Sequence, residues 1–420
     1  MFECISHRLT RIVLLALALY ATGARADAPA NVPEDKSIFS FSGFGTLGLV
    51  HSSENQADFT SSILKPNGAG YSHAWSADVD SLIGGQVTAN FTPKLSAVLQ
   101  VISEQNYDNS YRPHVQWANI QYQLTPEFSV RAGRTVLPTF LLSDTRKVAY
   151  TYPWVRPPLE VYRLAPITAS DGIDASYRIH IGDITNNLQV HVGKSDNQLP
   201  NDAGDIKARQ SWSLAYTGEY QATTLHIGYE STHLTLDGVK PIFDAFRQFG
   251  PEGIALANKY DVDNKALSVI TMGARYDPGQ WFVMGEVGHL VTHSFFGTAT
   301  GWYLSSGYRF GEFTPYLPYG EAKADNLSDP GLNLTTLPPS LAGPAAGLNA
   351  VLNSLLSTKV VQNTLSIGGR WDLMSNAALK LQYDHTDIGT GSSGILSNLQ
   401  PGFQSGGKVN LFSATIDFVF

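Results

Sequence analysis

Apolar and polar residues alternate strictly through most of this chain. In "GIDASYRIHIG", Ile173, Ala175, Tyr177, Ile179 and Ile181 share one face, and Asp174, Ser176, Arg178 and His180 share the other. "SWSLAYTGEY" places Trp212, Leu214 and Tyr216 on one side, and "ATTLHIGYEST" sets Leu225, Ile227 and Tyr229 against His226 and Glu230. "GWYLSSGYRF" repeats the pattern with Trp302, Leu304, Tyr308 and Phe310 against Tyr303 and Arg309. "TLSIGGRW" and "AALKLQYDH" put Arg370 and Lys380 on the polar side. A period of two predicts β-strands with one apolar face. The segments match the ~9–11 residues that a tilted strand needs to cross a bilayer.

The connections between these segments alternate in length. Short ones fall at 92–94, 124–127, 182–187, 220–223, 277–280, 311–312 and 373–376. Long ones fall at 51–80, 105–112, 137–171, 196–208, 234–264, 294–299, 324–361 and 388–406. Seven short turns and eight long loops join about sixteen strands, with both chain ends on the short-turn side. The expected fold is all-β, a transmembrane antiparallel β-barrel, because closing the sheet leaves no unpaired strand edge in lipid. Within 324–361, Leu348, Val351, Leu352, Leu355 and Leu356 recur at helical spacing, which predicts a short amphipathic helix in that loop.

The N-terminus reads as a secretory signal peptide, residues 1–26. Arg8 and Arg11 precede the apolar run Ile12 to Ala24, and "ARA" offers a cleavage site before Asp27. The remaining residues, 27–420, form one barrel domain. They contain no cysteine, since Cys4 lies in the signal, and they carry 25 basic and 35 acidic residues for a net charge of −10. That acidic balance argues against a nucleic-acid partner. "FSGFGTLG" reads G-x-G-x-x-G at Gly43, Gly45 and Gly48, but a polar loop rather than a helix follows, and position 65 is Lys65 rather than an acid. It is therefore a first barrel strand and not a dinucleotide turn. Gly43 and Gly45 are expected to face a neighbouring subunit.

The last segment, "NLFSATIDFVF", sets Phe412, Ala414, Ile416, Phe418 and Phe420 against Leu411, Ser413, Thr415, Asp417 and Val419. Together with the sixteen alternating segments, "VRAGR" (130–134), "GYRFGEFTPYLPYGEAK" (307–323) and "LKLQYDH" (379–385), this resembles the general diffusion porins of the Gram-negative outer membrane. The resemblance implies a homotrimer in outer-membrane lipid and lipopolysaccharide. It also implies assembly through the terminal strand, with Phe418 and Phe420 as the signal, and a third long loop folded inward to narrow the channel. That loop, 137–171, is stiffened by Pro138, Pro153, Pro157, Pro158 and Pro166. It carries Asp144, Glu160 and Asp171 against Arg146, Lys147, Arg156 and Arg163. Inward strand positions add Arg131, Arg178, Arg309, Arg370 and Lys380 against Asp174, Glu230 and Asp384.

Opposed charges across a constriction set up a transverse field that sorts solutes. Basic residues outnumber acidic ones here, so the expectation is a channel for passive diffusion of small hydrophilic solutes with a mild anion preference. At least half of these charges are expected to be the loop's own salt bridges. The alternative is a substrate-specific channel, for a sugar or an aromatic or organic acid, with Tyr150, Tyr152, Trp154 and Tyr162 as a binding track. "YDVDN" (260–264) lacks the spacing and glycine of a calcium loop. No zinc-protease or nucleophile-elbow motif is present. No metal, cofactor or catalytic activity is expected.

Overall fold

The computed structural model describes residues 37–325 and 327–420. The expected signal peptide, 1–26, lies outside the described residues. Sixteen long strands run in order: β1 (Phe39–Ser52), β2 (Leu82–Asn90), β3 (Leu95–Glu104), β4 (His114–Gln123), β5 (Phe128–Val136), β6 (Ala169–Ile181), β7 (Ile184–Gln198) and β8 (Asp205–Tyr220). They continue with β9 (Thr223–Leu236), β10 (Lys265–Tyr276), β11 (Trp281–Thr292), β12 (Thr298–Tyr308), β13 (Phe313–Ala324), β14 (Gln362–Met374), β15 (Ala377–Ile388) and β16 (Gly407–Val419). Each pairs antiparallel with the next, and β1 pairs with both β2 and β16, which closes the barrel. The two-residue strand Trp75–Ser76 bonds to the outer end of β1.

The closing seam explains the glycines of "FSGFGTLG". Gly45 sits opposite Phe418, and the backbone of Gly43 exchanges hydrogen bonds with Phe420 at 2.7 and 2.9 Å. A Cβ on Gly43 would lie 2.2 Å from the Phe420 ring, and one on Gly45 2.4 Å from the Phe418 ring. The two rings are stacked, with centroids 6.3 Å apart, over the bare backbone of β1. Aromatic rings covering cross-strand glycines are a known device for pinning register. The expectation that these glycines face a neighbouring subunit is thus corrected: rings of the same chain fill the space they leave. The rest of the outer surface is apolar, with Ile120, Leu188, Leu214, Ile270, Leu304 and Ile367 among its exposed residues. Trp281, Tyr276 and Trp371 lie toward the short-turn end, and Trp212, Trp302 and Tyr383 toward the long-loop end. Two aromatic girdles flanking an apolar band are the outer dress of a barrel that spans a bilayer.

The long loops carry four helices: α1 (Leu159–Tyr162), α2 (Lys240–Arg247), α3 (Gly250–Tyr260) and α4 (Pro339–Ser357). Helix α4 starts upstream of the apolar spacing seen in the sequence, with Pro339 in its first turn. It buries Leu352 and Leu356 against Phe243 and Phe246 of α2 and against Leu234 and Leu236 at the top of β9. Each such side chain contributes roughly 1.5–3 kcal/mol of burial. Sequence reading placed no helix in 234–264, although Phe243 and Phe246 stand at helical spacing. Elsewhere at this end, Asp58–Phe59, Ala69–Gly70 and Leu396–Ser397 form a small three-stranded sheet that ties the first long loop to the last. Asp261 of "YDVDN" is paired with Arg247 and, at 2.7 Å, with Lys265.

Candidate functional site

The third long loop, 137–168, folds into the barrel. Its way in is prepared by glycines at inward positions on five successive strands. A Cβ on Gly228 of β9 would meet the Thr139 carbonyl oxygen at 2.3 Å, and one on Gly301 of β12 the Glu160 carbonyl oxygen at 1.9 Å. Gly273 of β10 faces Leu141, Gly288 of β11 faces Leu164, and Gly320 of β13 faces the Glu160 carboxylate. Together they form a trough for the loop. Sequence reading did not single these glycines out; their recurrence at inward positions on consecutive strands was the signal.

Hydrogen bonds then fasten the loop to the wall along its whole course. Thr139 donates to Glu230 at 2.6 Å and Leu141 N to Glu286 at 2.9 Å. Trp154 Nε1 donates to Ser305 at 2.8 Å, and Val155 N to Gln382 at 3.2 Å. The loop dips far enough for the Tyr150 hydroxyl to reach the Ser375 carbonyl, at 2.7 Å, in the last short turn. Most of its wall partners lie on β9 to β16, Glu104 of β3 and Gln116 of β4 being the exceptions, while the inward face of β2 to β7 keeps half-exposed polar residues, Gln86, Gln121, Arg131 and Asn187 among them.

Most of the sequence-predicted charges serve this fastening. Lys380 donates to the carbonyls of Ala149, Tyr152 and Trp154 at 2.7–2.8 Å and pairs with Asp417 at 2.9 Å, both side chains being fully buried. Arg156 is bidentate to Asp80 at 2.6 and 2.9 Å and also reaches Asp384 and Ser413. Burial pulls its pKa down, but Asp80 and Asp384 prevail and hold it above the ordinary arginine value. Arg370 donates to the Tyr150 and Tyr152 carbonyls and to Asp372. Arg146 donates to the carbonyls of Ala165 and Tyr162, and Lys147 pairs with Glu104 at 2.5 Å. Glu160 accepts from Gln362 at 2.8 Å and Thr364 at 2.6 Å, and burial raises its pKa above the usual glutamate range. Arg309 lies at the short-turn rim, bonded to Asp277 at 2.7 Å.

Two placements differ from the sequence reading. Asp171 stands on the outer face of β6, in register with outward Ile173, and pairs with Arg134 at 2.7 Å; it is outside the lumen. The expected aromatic track is packed shut. Trp154 and Tyr162 are fully buried and Tyr152 nearly so, in a cluster with Phe140, Phe282, Tyr303 and Tyr316. Tyr150 is half-buried under the Arg370 guanidinium, 4.7 Å from its ring. Trp154 and Tyr162 stiffen the loop and offer no open surface, and only Tyr150 keeps a partly exposed ring.

Asp144 and Arg131 are left facing the gap. Asp144 sits exposed in the turn Ser143–Thr145, within electrostatic reach of Arg131 and Asp174 on the facing wall. Arg131 is itself bonded to Asp174 at 2.8 Å. Farther down, Arg178 is exposed on the inward face of β6 with no ion pair among the described residues. One row deceives by composition: Asp174, His191 and Ser213 are cross-strand neighbours on β6, β7 and β8. Asp174 is held by Arg131 and by Gln189 at 2.6 Å, however, and His191 Nδ1 meets Thr135 at 3.3 Å. No proton relay joins the three.

Two cavities border the loop. One, of about 440 Å³, lies on the long-loop side between the second half of the loop, the upper parts of β8 to β13 and the outer loops. The other, of about 350 Å³, lies near the short turns and is lined by Arg275, Asp277, Arg309, Arg370 and Asp372. No protein-family model and no curated protein matches the sequence. The structure does resemble solved structures. The anion-selective porin from Comamonas acidovorans aligns over 91% of this chain and 99% of its own with a TM-score of 0.53 and 12% identity. OmpF from Salmonella typhi, solved with daunomycin, aligns over 91% and 97% with a TM-score of 0.53 and 10% identity. The outer-membrane channel DcaP from Acinetobacter baumannii aligns over 92% and 98% with a TM-score of 0.56 and 10% identity. The chain therefore has the fold of the outer-membrane porins.

Proposed function

We propose that this porin-fold chain is an outer-membrane channel through which small hydrophilic solutes diffuse passively along the polar wall β2 to β7, past a constriction set by Asp144 and Arg131. The observation that carries this is the asymmetry of the lumen. The loop is bonded mainly to one half of the wall, β9 to β16, and most of the other half is lined by polar side chains that water can wet. The anion preference belongs to the same proposal, but on fewer residues than sequence suggested. Arg131, Lys147, Arg156, Arg309, Arg370 and Lys380 each have a carboxylate partner. Of the sequence-predicted charges, Arg146, Arg163 and Arg178 keep no carboxylate partner among the described residues, and they outnumber the loop acids without a basic partner, Asp144 and Glu160.

A homotrimer, lipopolysaccharide around the outer girdle, and delivery by the assembly machinery through Phe418 and Phe420 complete the proposal. The seating of these two rings on Gly45 and Gly43 supports only their role in closure. Planar-bilayer recording of the purified protein tests the channel. Stepwise conductance is expected, in groups of three for a trimer. A silent bilayer from protein whose folded state is verified by heat-modifiable gel mobility would refute it.

A further inference from the structure

The wall above the loop breaks the lumen's polar rule. Inward positions of a water-filled barrel are polar, as Gln86, Gln100, Asn119 and Gln189 are here. At the long-loop ends of β8 to β13, the inward positions are instead Ile206, Leu234, Val269, Leu290 and Ala322. The cap helices cover part of this surface, and the 440 Å³ cavity keeps the rest open between Leu164 of the loop and Leu399 of the last outer loop. Binding pockets for small molecules are of this kind: a few hundred Å³, mostly apolar, with a few placed polar groups.

The polar groups of this cavity are unequal in sign. Lys65, Arg163 and Lys359 line it, with Glu160 and Glu230 as its acids. Both acids are already hydrogen-bonded, Glu160 to Gln362 and Thr364 and Glu230 to Thr139. Lys65 spends its ammonium on the carbonyls of Asp78 and Val79. Arg163 differs. Its guanidinium donates to the Ile395 carbonyl and has no ion pair among the described residues, which leaves most of its fork of donors for a planar carboxylate. Burial lowers its pKa to about 10, so it is charged at neutral pH and poorly solvated.

We infer that this cavity is a binding site for a small carboxylate with an apolar body, such as an aromatic monoacid, whose carboxylate pairs with Arg163 while its body lies against Val269, Leu290 and Leu164. The inference names a substrate class for the proposed channel and rests on that reading for its transport meaning, though binding is measurable without conduction. The apolar wall excludes simple inorganic anions as the preferred guest, and the single available guanidinium favours one carboxylate over two.

The test is isothermal titration calorimetry on the folded, detergent-solubilised protein with benzoate, acetate and benzyl alcohol. Benzoate is expected to bind at least tenfold more tightly than acetate or benzyl alcohol. Arg163→Gln should weaken benzoate tenfold or more and leave benzyl alcohol unchanged, whereas Arg163→Lys keeps a charge and should retain part of the affinity. Val269→Thr, close to isosteric, should weaken benzoate and benzyl alcohol alike. Equal binding of benzoate and acetate, or full benzoate affinity in a folded Arg163→Gln protein, overturns the inference. Bilayer recording of the same samples separates the two readings. A protein that binds benzoate but does not conduct keeps the site and refutes the channel; one that conducts without preferring benzoate keeps the channel and refutes the site.

Discussion

The ammonium of Lys380 reaches no solvent; it donates to the carbonyls of Ala149, Tyr152 and Trp154 and is paired in charge with Asp417 at 2.9 Å. Removing one partner of a buried ion pair strands the other charge, at a cost of roughly 3–5 kcal/mol. Lys380→Met is therefore expected to lower the temperature of the heat-modifiable gel transition and to release the loop segment around Trp154. Lys380→Met with Asp417→Asn removes both charges and should recover much of that loss. If the double variant is no more heat-resistant than the single, the pair is not what holds the loop. Glu160 behaves differently because burial raises its pKa above the ordinary glutamate range. A carboxylic acid whose folded pKa is raised favours the fold most below its unfolded pKa, and that stabilisation is lost as pH rises through the folded value. The native protein should thus lose stability relative to Glu160→Gln as pH increases from acid toward neutral. Parallel curves for the two proteins across that range would contradict this.

At the scale of elements, the loop and its trough are one device. Gly301 is the tightest point, since a Cβ there would stand 1.9 Å from the Glu160 carbonyl oxygen, a backbone atom that cannot swing aside. Gly301→Ala is expected to push α1 off the wall and toward the opposite side, cost roughly 1–3 kcal/mol as overpacking does, and lower single-channel conductance by narrowing the gap at Asp144. Unchanged conductance with a normal gel transition would mean that the loop has slack. The strands themselves were legible in the sequence because a barrel strand must alternate, and the turns because their lengths alternate too. The loop's attachment was not legible. An inward glycine that makes room for a backbone reads the same as one beside water, and Arg156 reads the same whether it faces solute or Asp80. Asp171 was misplaced because the strand β6 begins before it, at Ala169, so that a residue read as loop already points outward. The aromatic residues of the loop invited a binding role that Trp154 and Tyr162 cannot fill, being the interior of a small core of their own.

For the whole molecule, selectivity depends on which charges remain after the internal pairs are removed. The chain is acidic, yet the lumen retains Arg146, Arg163 and Arg178 without a carboxylate partner among the described residues, against the loop acids Asp144 and Glu160. A paired residue can still matter through its partner. Arg131 neutralises Asp174 at 2.8 Å, and losing it would expose two carboxylates, Asp174 and Asp144, to one gap. Reversal potentials under a potassium chloride gradient should therefore show a mild anion preference in the native protein. The preference should weaken in Arg178→Gln, strengthen in Asp144→Asn, and invert toward cations in Arg131→Gln. Screening supplies an internal control, since the Debye length is about 10 Å at 0.1 M salt and about 3 Å at 1 M. A preference set by lumen charges must fade over that range, whereas one set by the width of the gap must not. Should Arg131→Gln keep the native sign at 0.1 M, the filter lies elsewhere than between the loop turn at Asp144 and the wall at Arg131.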